Sequence, residues 1–278
     1  MKVLITGASG QLGQELVDAF SSWETIPTNF HNLDITDKTA VSQNFESSLP
    51  SWIIHCAAWT DVEGCAKDPE KAMKINAEGT RNLALAAKKI NAKLVYISTN
   101  EVFDGKKKEP YIETDAPNPL NPYAESKLVG EKFVQEILGE DGIIIRTSWV
   151  FGPKGRSNFP LKILKAAENN PELKVVDDEF ATPTYAPDLA KAIFELVKKN
   201  TTGIFNLVNG GYCSRYDWAK EIINLSGIKK PLLRIHLADY SRLSNPPGYS
   251  VLSTQKAENL GVKLRSWKDA TKEFLENI

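Results

Sequence analysis

Three glycines directly after the first apolar segment place the strongest constraint on this chain. The run from Lys2 to Thr6 is short and apolar, which is typical of a strand buried on both faces. Gly7, Gly10 and Gly13 follow it, and Gln14 to Phe20 then has the apolar spacing of a helix. Glycines in such a turn let the backbone approach a pyrophosphate, which meets free N–H groups at the helix start. We therefore predict a dinucleotide-binding turn at these glycines.

The residues alone do not settle which dinucleotide binds. The glycine spacing is G-x-x-G-x-x-G rather than the usual G-x-G-x-x-G, so an ordinary strand-to-helix turn is the alternative. The second strand carries the group that recognises the adenosine ribose, a carboxylate for NAD or a basic residue for NADP. The segment from Thr25 to His31 supplies neither clearly, and His31 is interpreted as a solvated loop residue.

Strand-like and helix-like segments alternate through the first half of the chain. We predict strands at 52–56, 94–98 and 142–146 and a long helical region at 69–90. This alternation predicts an α/β fold, a Rossmann-type doubly wound parallel sheet with a smaller C-terminal substrate lobe. Ligands of such sheets bind at the carboxyl ends of the strands.

We expect two functional parts. Residues 1–150 are predicted to form an NAD(P)-binding Rossmann domain, to which segments near 181–208 return. Residues 151–180 and 209–278 are predicted to form most of the substrate-binding lobe, with a helix at 215–225.

Tyr123 and Lys127 are a candidate pair for proton transfer. Four residues apart on a helix, they share one face. Asn121 is a good N-cap and Pro122 a good first helical residue, so Tyr123 is predicted in the first turn, at the positive end of the helix dipole. Lysine and dipole both favour the phenolate, so we expect the pKa of Tyr123 to be lowered from about 10 toward neutrality. The alternative is that both are ordinary surface residues, since spacing alone is weak.

The composition argues against several classes of protein. A net charge of −1 gives no basic excess to neutralise nucleic-acid phosphates. Three cysteines without C-x-x-C spacing and three scattered histidines predict neither a disulfide framework nor a metal site. No signal-like start and no run of 18 apolar residues is present, so we expect a soluble, cytoplasmic protein without membrane contact.

Eight sequence blocks, spread over nearly the whole chain, form a specific combination. They are TGASGQLG at 6–13, LDITD at 33–37, CAAWTDVEGC at 56–65, INAEGTRNLA at 75–84, YISTNEVFDG at 96–105, NPYAESKLVGE at 121–131, RTSWVFG at 146–152 and ATPTYAPDLA at 181–190. With them the chain resembles the extended short-chain dehydrogenases/reductases, and within that group the dTDP-4-dehydrorhamnose reductase family. The resemblance implies an NAD(P)-dependent oxidoreductase that reduces a nucleotide-linked 4-keto-6-deoxy sugar in deoxysugar or cell-surface polysaccharide biosynthesis. It also implies NADP(H) as cofactor, with NAD(H) as the alternative, and a monomer or homodimer.

The resemblance also implies roles for individual residues. Thr99, Tyr123 and Lys127 correspond to the catalytic hydroxyl, the acid and the helper lysine. Cofactor contacts are implied for Tyr123 and Lys127, for the pyrophosphate-binding residues Gly7, Gly10, Gln11, Leu12 and Gly13, for Asp34 and Ile35 beside adenine, and for Ala58, Trp59, Thr60 and Ile97 beside nicotinamide. Substrate contacts are implied for Thr99, Asn100, Glu101 and Trp149. Core packing is the alternative role of Trp149.

Two departures from the family pattern keep other functions open. Asn100 and Glu101 stand where the family usually has Asp and Tyr, and Pro246 stands where it has an arginine that holds the substrate diphosphate. Glu101 matches the base of the related nucleotide-sugar dehydratases, but Asn100 cannot donate a carboxyl proton. A dehydratase or epimerase is therefore one alternative. The other is a non-catalytic dinucleotide-binding subunit, such as the regulatory subunit of methionine adenosyltransferase.

Overall fold

The computed structural model describes all residues from Met1 to Ile278. In chain order, its strands are β1 (Lys2–Thr6), β2 (Glu24–Pro27), β3 (Trp52–His55), β4 (Lys93–Thr99), β5 (Gly142–Thr147), β6 (Val150–Phe151), β7 (Leu173–Val176), β8 (Phe180–Ala181), β9 (Thr184–Tyr185), β10 (Gly203–Asn206), β11 (Cys213–Ser214) and β12 (Leu232–Ile235). Its α-helices are α1 (Gln11–Ala19), α2 (Lys38–Ser48), α3 (Val62–Lys67), α4 (Pro69–Ala72), α5 (Gly79–Lys89), α6 (Pro122–Leu138), α7 (Phe159–Asn169), α8 (Ala186–Lys198), α9 (Arg215–Leu225), α10 (Gln255–Glu258) and α11 (Trp267–Glu276).

The centre of the molecule is a six-stranded parallel sheet in the order β10-β5-β4-β3-β1-β2. The central parts of its inner strands are apolar because helices cover both faces, and Val3, Leu4 and Ile5 of β1 are fully buried. The predicted Rossmann-type class is confirmed. The order in which strands are added reverses between β1 and β3, and the crevice at such a switch point is where ligands of these sheets bind.

Helices pack on both faces of this sheet. On one face α1 and α8 contribute Leu16 and Ile193 to an apolar cluster, which also contains Phe20, the C-cap of α1. On the other face α2 contributes Phe45, α5 contributes Leu83 and α6 contributes further apolar side chains to a second cluster. Burial of these side chains is the main stabilising contribution to the sheet.

A smaller lobe surrounds Trp218, which is almost fully buried. It contains α7, α9 and α11 together with the strand pairs β7–β12, β8–β11 and β6–β9. Strand β10 lies outside this lobe, since it pairs in parallel with β5 at the edge of the main sheet.

Two helices differ from the sequence expectation. Helix α1 begins at Gln11 rather than Gln14, because Gly10 is its N-cap and Gly13 lies inside its first turn. The long helical region at 69–90 is interrupted by a π-helical segment, Met73–Glu78, between α4 and α5. Such segments occur frequently at functional sites.

Two further findings concern the chain as a whole. None of the helices combines the length and the apolar character that crossing a membrane requires. Cys56, Cys65 and Cys213 are all free thiols.

Candidate active site

Two clefts open at the carboxyl ends of the central strands and share the glycine turn. The first has a volume of about 940 Å³ and the second about 580 Å³. Gly7, Ser9 and Gly10 line both clefts. An elongated ligand can therefore lie across the turn with one end in each cleft.

The glycine turn has no room for side chains. Gly7 has φ +66°, and a Cβ atom there would lie 2.7 Å from the backbone nitrogen of Ala57. A Cβ atom on Gly13 would overlap the carbonyl oxygen of Gly7. Gly10 caps α1 without a side-chain hydrogen bond, so N–H groups of the first helical turn stay available to a ligand. A pyrophosphate fits this cradle.

Gln11 and Leu12 hold the turn in place. The Gln11 side chain donates a hydrogen bond to the carbonyl oxygen of Val150 (2.8 Å) and accepts one from Asn158 (3.3 Å). Leu12 is buried in the apolar cluster beneath α1. The backbone N–H groups of both residues lie in the first turn of α1, where they are available to a phosphate.

A loop that the sequence did not single out closes the far side of this turn. Lys154, Gly155, Arg156 and Ser157 line the second cleft. The Lys154 ammonium pairs with Asp18 of α1. The sequence alone does not reveal this contact, because more than 130 positions separate the loop from α1.

The first cleft contains the residues expected beside adenine. Asp34 and Ile35 both line it, and Oδ1 of Asp34 accepts hydrogen bonds from the N–H and the hydroxyl of Thr36, each at 2.9 Å. Lys71 and Lys74 also line this cleft, although the sequence analysis did not name them. They are cations that could meet an additional phosphate group.

Ala58 and Trp59, which the resemblance placed beside nicotinamide, both line the first cleft, and of the two only Ala58 also lines the second. Asn76 fixes their loop. Oδ1 of Asn76 accepts a hydrogen bond from the Trp59 N–H (2.8 Å), while Nδ2 donates to the Trp59 carbonyl (3.1 Å). Nδ2 also donates to the hydroxyl of Ser126 in α6 (3.0 Å). Asn76 lies in the π-helical segment and joins the loop after β3 to the helix that carries Tyr123.

The second cleft brings the expected reactive residues together. Its lining includes Thr60, Ile97, Thr99, Asn100, Glu101, Tyr123, Lys127 and Trp149. Helix α6 begins as predicted, with Pro122 as its first residue and the Asn121 side chain accepting a hydrogen bond from the Ala124 N–H at 2.9 Å. This start places Tyr123 in the first turn.

The expected lowering of the pKa of Tyr123 is wrong for the protein alone. Burial raises the pKa of this phenol above its ordinary value of 10, and the negative charge of Glu101 raises it further. The Thr99 hydroxyl opposes these effects only in part. Tyr123 therefore keeps its proton at neutral pH, which is the state an acid needs.

Lys127 is buried yet has no hydrogen-bond acceptor for its ammonium within the protein. The ammonium nitrogen lies 4.2 Å from the ring centroid of Tyr96, a cation–π contact. Burial lowers the pKa of Lys127 to about 7, although the Glu131 carboxylate opposes this. Glu131 is itself paired with Arg146 at 2.7 Å. The donors of Lys127 thus remain free for a ligand in the cleft.

Asn100 and Glu101 have different surroundings. Nδ2 of Asn100 donates to the Ser250 hydroxyl at 2.6 Å, so this amide holds the C-terminal segment although the residue lines the cleft. Oε2 of Glu101 accepts a hydrogen bond from Nδ2 of Asn121 at 2.8 Å. Burial raises the pKa of Glu101.

Trp149 belongs both to the cleft and to the packing of the smaller lobe. It has φ +42° and stacks on Trp218 with ring centroids 6.0 Å apart. The Arg215 guanidinium lies 3.6 Å from the centroid of its ring. Arg242, four residues before Pro246, pairs with Glu179 at 3.0 Å, as does Arg215 at 3.2 Å.

One group of possible metal ligands lies elsewhere. Asp177, Asp178 and His236 bring ligand atoms within 4.8 Å of one another, and two of the three residues are exposed. None of them lines either cleft.

Known proteins of similar sequence and similar shape clarify this arrangement. The spore coat polysaccharide biosynthesis protein SpsK of Bacillus subtilis is 39% identical over 99% of this chain and 97% of its own. The dTDP-4-dehydrorhamnose reductase of Clostridium acetobutylicum superposes with a TM-score of 0.95, at 39% identity over 99% of both chains. The dTDP-4-dehydrorhamnose reductase of Bacillus anthracis, solved in complex with NADP, also gives 0.95, at 35% identity over 100% of this chain and 99% of its own. The family described as the RmlD substrate binding domain matches residues 1–278, and the chain belongs to this family.

Proposed function

We propose that this chain is an NADPH-dependent reductase of a nucleotide-linked 4-keto-6-deoxy sugar, similar to dTDP-4-dehydrorhamnose reductase. The observation that carries the proposal is the meeting of Thr99, Tyr123 and Lys127 in a cleft that begins at the glycine turn. The names of the relatives and the NADP of the Bacillus anthracis structure support it.

The proposed cofactor spans both clefts. Its pyrophosphate lies on the cradle of Gly7, Gly10 and Gly13, and its adenine lies beside Asp34 and Ile35. Lys71 and Lys74 favour NADP over NAD, because their charges attract its extra phosphate. No carboxylate stands at the end of β2, where one would bind the ribose of NAD. When bound, the nicotinamide supplies a hydride to the substrate carbonyl carbon.

The protein supplies the proton and stabilises the growing negative charge. Tyr123 holds its proton because its pKa is raised, and it donates this proton to the carbonyl oxygen. The Thr99 hydroxyl donates only a long hydrogen bond, to Oδ1 of Asn100 at 3.3 Å, and this donor is readily exchanged for a bond to the same carbonyl oxygen. The free donors of Lys127 hold a ribose hydroxyl, and its charge favours the phenolate that remains.

We also propose the division of labour between the two parts of the chain. Residues 1–150 with segments near 181–208 bind the cofactor, while 151–180 and 209–278 mostly bind the sugar nucleotide. A cytoplasmic location and a monomeric or homodimeric state stay predictions.

The test is a direct assay of the purified protein. With NADPH and a dTDP-4-keto-6-deoxyhexose, we expect loss of absorbance at the nicotinamide band, with slower loss when NADH replaces NADPH. Bound NADPH that is never oxidised would favour a regulatory binding subunit. Loss of water from a nucleotide hexose, without net use of NADPH, would favour a dehydratase.

A further inference from the structure

Glu101 has one fixed and one free carboxylate oxygen. Oε2 accepts the hydrogen bond from Asn121, the residue that caps the helix of Tyr123. Oε1 accepts no hydrogen bond from the protein, yet it is not among the buried atoms without partners, so it is accessible. Since Glu101 lines the second cleft, this accessible oxygen is open to a ligand there.

The backbone fixes Glu101 relative to the reactive hydroxyl groups. Glu101 lies in the 3₁₀ turn Asn100–Val102, and its N–H donates to the Thr99 hydroxyl at 3.2 Å. Glu101 and Tyr123 line the same cleft, and the Glu101 carboxylate is bonded to Asn121, two residues before Tyr123 in the chain. The negative charge of Glu101 accordingly raises the pKa of Tyr123. Glu101 is therefore close to both hydroxyl groups that meet the carbonyl oxygen in the proposed reaction.

No cation of the protein neutralises Glu101 directly. Arg215 and Arg242 attract it from the smaller lobe, but both pair with Glu179, whose own charge repels Glu101. When a ligand fills the cleft and displaces water from the Glu101 carboxylate, leaving Oε1 without a hydrogen bond is costly. The free oxygen thus calls for a hydrogen-bond donor from the ligand.

The chemistry of the substrate limits which donor this is. On one side of C4, a 4-keto-6-deoxyhexose has a carbon that bears the ring oxygen and a methyl group, neither of which donates. On the other side, C3 can carry a hydroxyl group. An ionised carboxylate only accepts hydrogen bonds, so it favours a hydroxyl at C3 and gains nothing from a C–H group.

Resting on the proposed function, we propose that Glu101 determines specificity by accepting, through Oε1, a hydrogen bond from the hydroxyl group next to the carbonyl that is reduced. The enzyme consequently selects 3-hydroxy over 3-deoxy ketosugars. Glu101 acts on the substrate, while Asn121 keeps its carboxylate in position.

The experiment compares two dTDP-linked 4-keto-6-deoxyhexoses, with and without the C3 hydroxyl. The wild type, Glu101→Ala, Glu101→Gln and the exposed control Glu125→Gln are assayed for kcat/KM with each sugar. We expect the wild type and the control to prefer the hydroxylated sugar by about tenfold or more, since hydrogen bonds to charged groups are strong. Glu101→Ala should lose most of this preference, because its kcat/KM falls for the hydroxylated sugar alone. The preference of Glu101→Gln should lie between those of the wild type and Glu101→Ala.

Two results would overturn the proposal: an unchanged preference in Glu101→Ala, or an equal loss of kcat/KM for both sugars. If Glu101→Ala does not fold, the same criteria apply to Glu101→Gln. If neither sugar is reduced by the wild type, the proposed reductase function fails. Calorimetric titration of both sugars into the NADP⁺ complexes of the wild type and the variant then tests the role of Glu101. Equal binding preferences in the two proteins would contradict this role.

Discussion

Glu63 accepts hydrogen bonds from both the backbone N–H (3.0 Å) and the hydroxyl of Ser244, a residue 181 positions later in the chain. Its other oxygen accepts a hydrogen bond from the Leu243 N–H at 2.9 Å. Glu63 lies in α3, which starts at the cleft-lining residue Val62. Six residues further along the same C-terminal segment, Ser250 is bonded to Asn100, which lines the second cleft. Glu63 therefore anchors this segment beside the second cleft.

The anchor predicts a pH-dependent stability. Hydrogen bonds from the Ser244 hydroxyl and from the backbone of Leu243 and Ser244 lower the pKa of Glu63 to about 2, from 4.5. A group whose pKa is depressed by folding stabilises the protein above its unfolded pKa and loses this contribution as pH falls through the folded pKa. The thermal midpoint of the wild type should thus exceed that of Glu63→Gln. This difference should be largest above about pH 4.5 and should vanish near pH 2.

Kinetics give the functional side of the same prediction. Glu63→Gln should raise KM for the sugar nucleotide several-fold and leave kcat nearly unchanged, because Glu63 is absent from the reacting groups. Glu168→Gln, exposed on α7 and outside both clefts, is the matched control. A constant difference in thermal midpoint across the acid range would contradict the anchor.

Lys127→Met should stabilise the protein at neutral pH while it abolishes turnover. Burial lowers the pKa of Lys127 from 10.5 to about 7, so the charged form is unfavourable in the folded state. Burying the charged ammonium costs on the order of a few kcal/mol of folding stability. This cost is present in full below pH 7 and decreases as the pH rises from 7 to 10.5. Thermal unfolding of the cofactor-free protein should show the largest gain at or below pH 7. Lys132→Met, exposed on the same helix, should show no such trend.

Gly7→Ala should abolish NADPH binding and destabilise the protein more than Gly227→Ala. Both glycines have nearly equal φ, +66° and +67°, so both variants carry a similar backbone strain of about 1–2 kcal/mol. Only at Gly7 would the new methyl group meet the Ala57 backbone, whereas Gly227 has nothing within 4 Å. Fluorescence titration with NADPH and chemical denaturation of both variants check this. Equal losses in the two variants would mean that steric exclusion at the turn is unimportant.

The parts of the fold that the sequence predicted well have local signals. The apolar run of β1, the glycines after it and the Asn121–Pro122 start of α6 each specify their structure within a few residues. Helix α9 was also predicted at its observed bounds, Arg215–Leu225. Ser214 caps it with Asp217 in a reciprocal capping box.

The features that the sequence did not reveal depend on distant contacts. The π-helical segment contains Asn76, whose hydrogen bonds reach Trp59 and Ser126, 17 and 50 positions away. The bond of Asn100 to Ser250 spans 150 positions. The direction of the Tyr123 pKa shift depends on burial, which helical spacing does not report. Spacing and the family resemblance indicated Thr99, Tyr123 and Lys127 as candidate reactive residues, whereas their electrostatics required the fold.

The proton-donating role of Tyr123 is tested most directly by Tyr123→Phe, which removes one hydroxyl group and keeps the ring. With NADPH and a dTDP-4-keto-6-deoxyhexose, kcat should fall by about 10²- to 10⁴-fold, because general acid catalysis is lost. The affinity for NADPH should stay unchanged, and the exposed control Tyr212→Phe should behave as wild type. Wild-type turnover by Tyr123→Phe would contradict the assignment of Tyr123 as the acid.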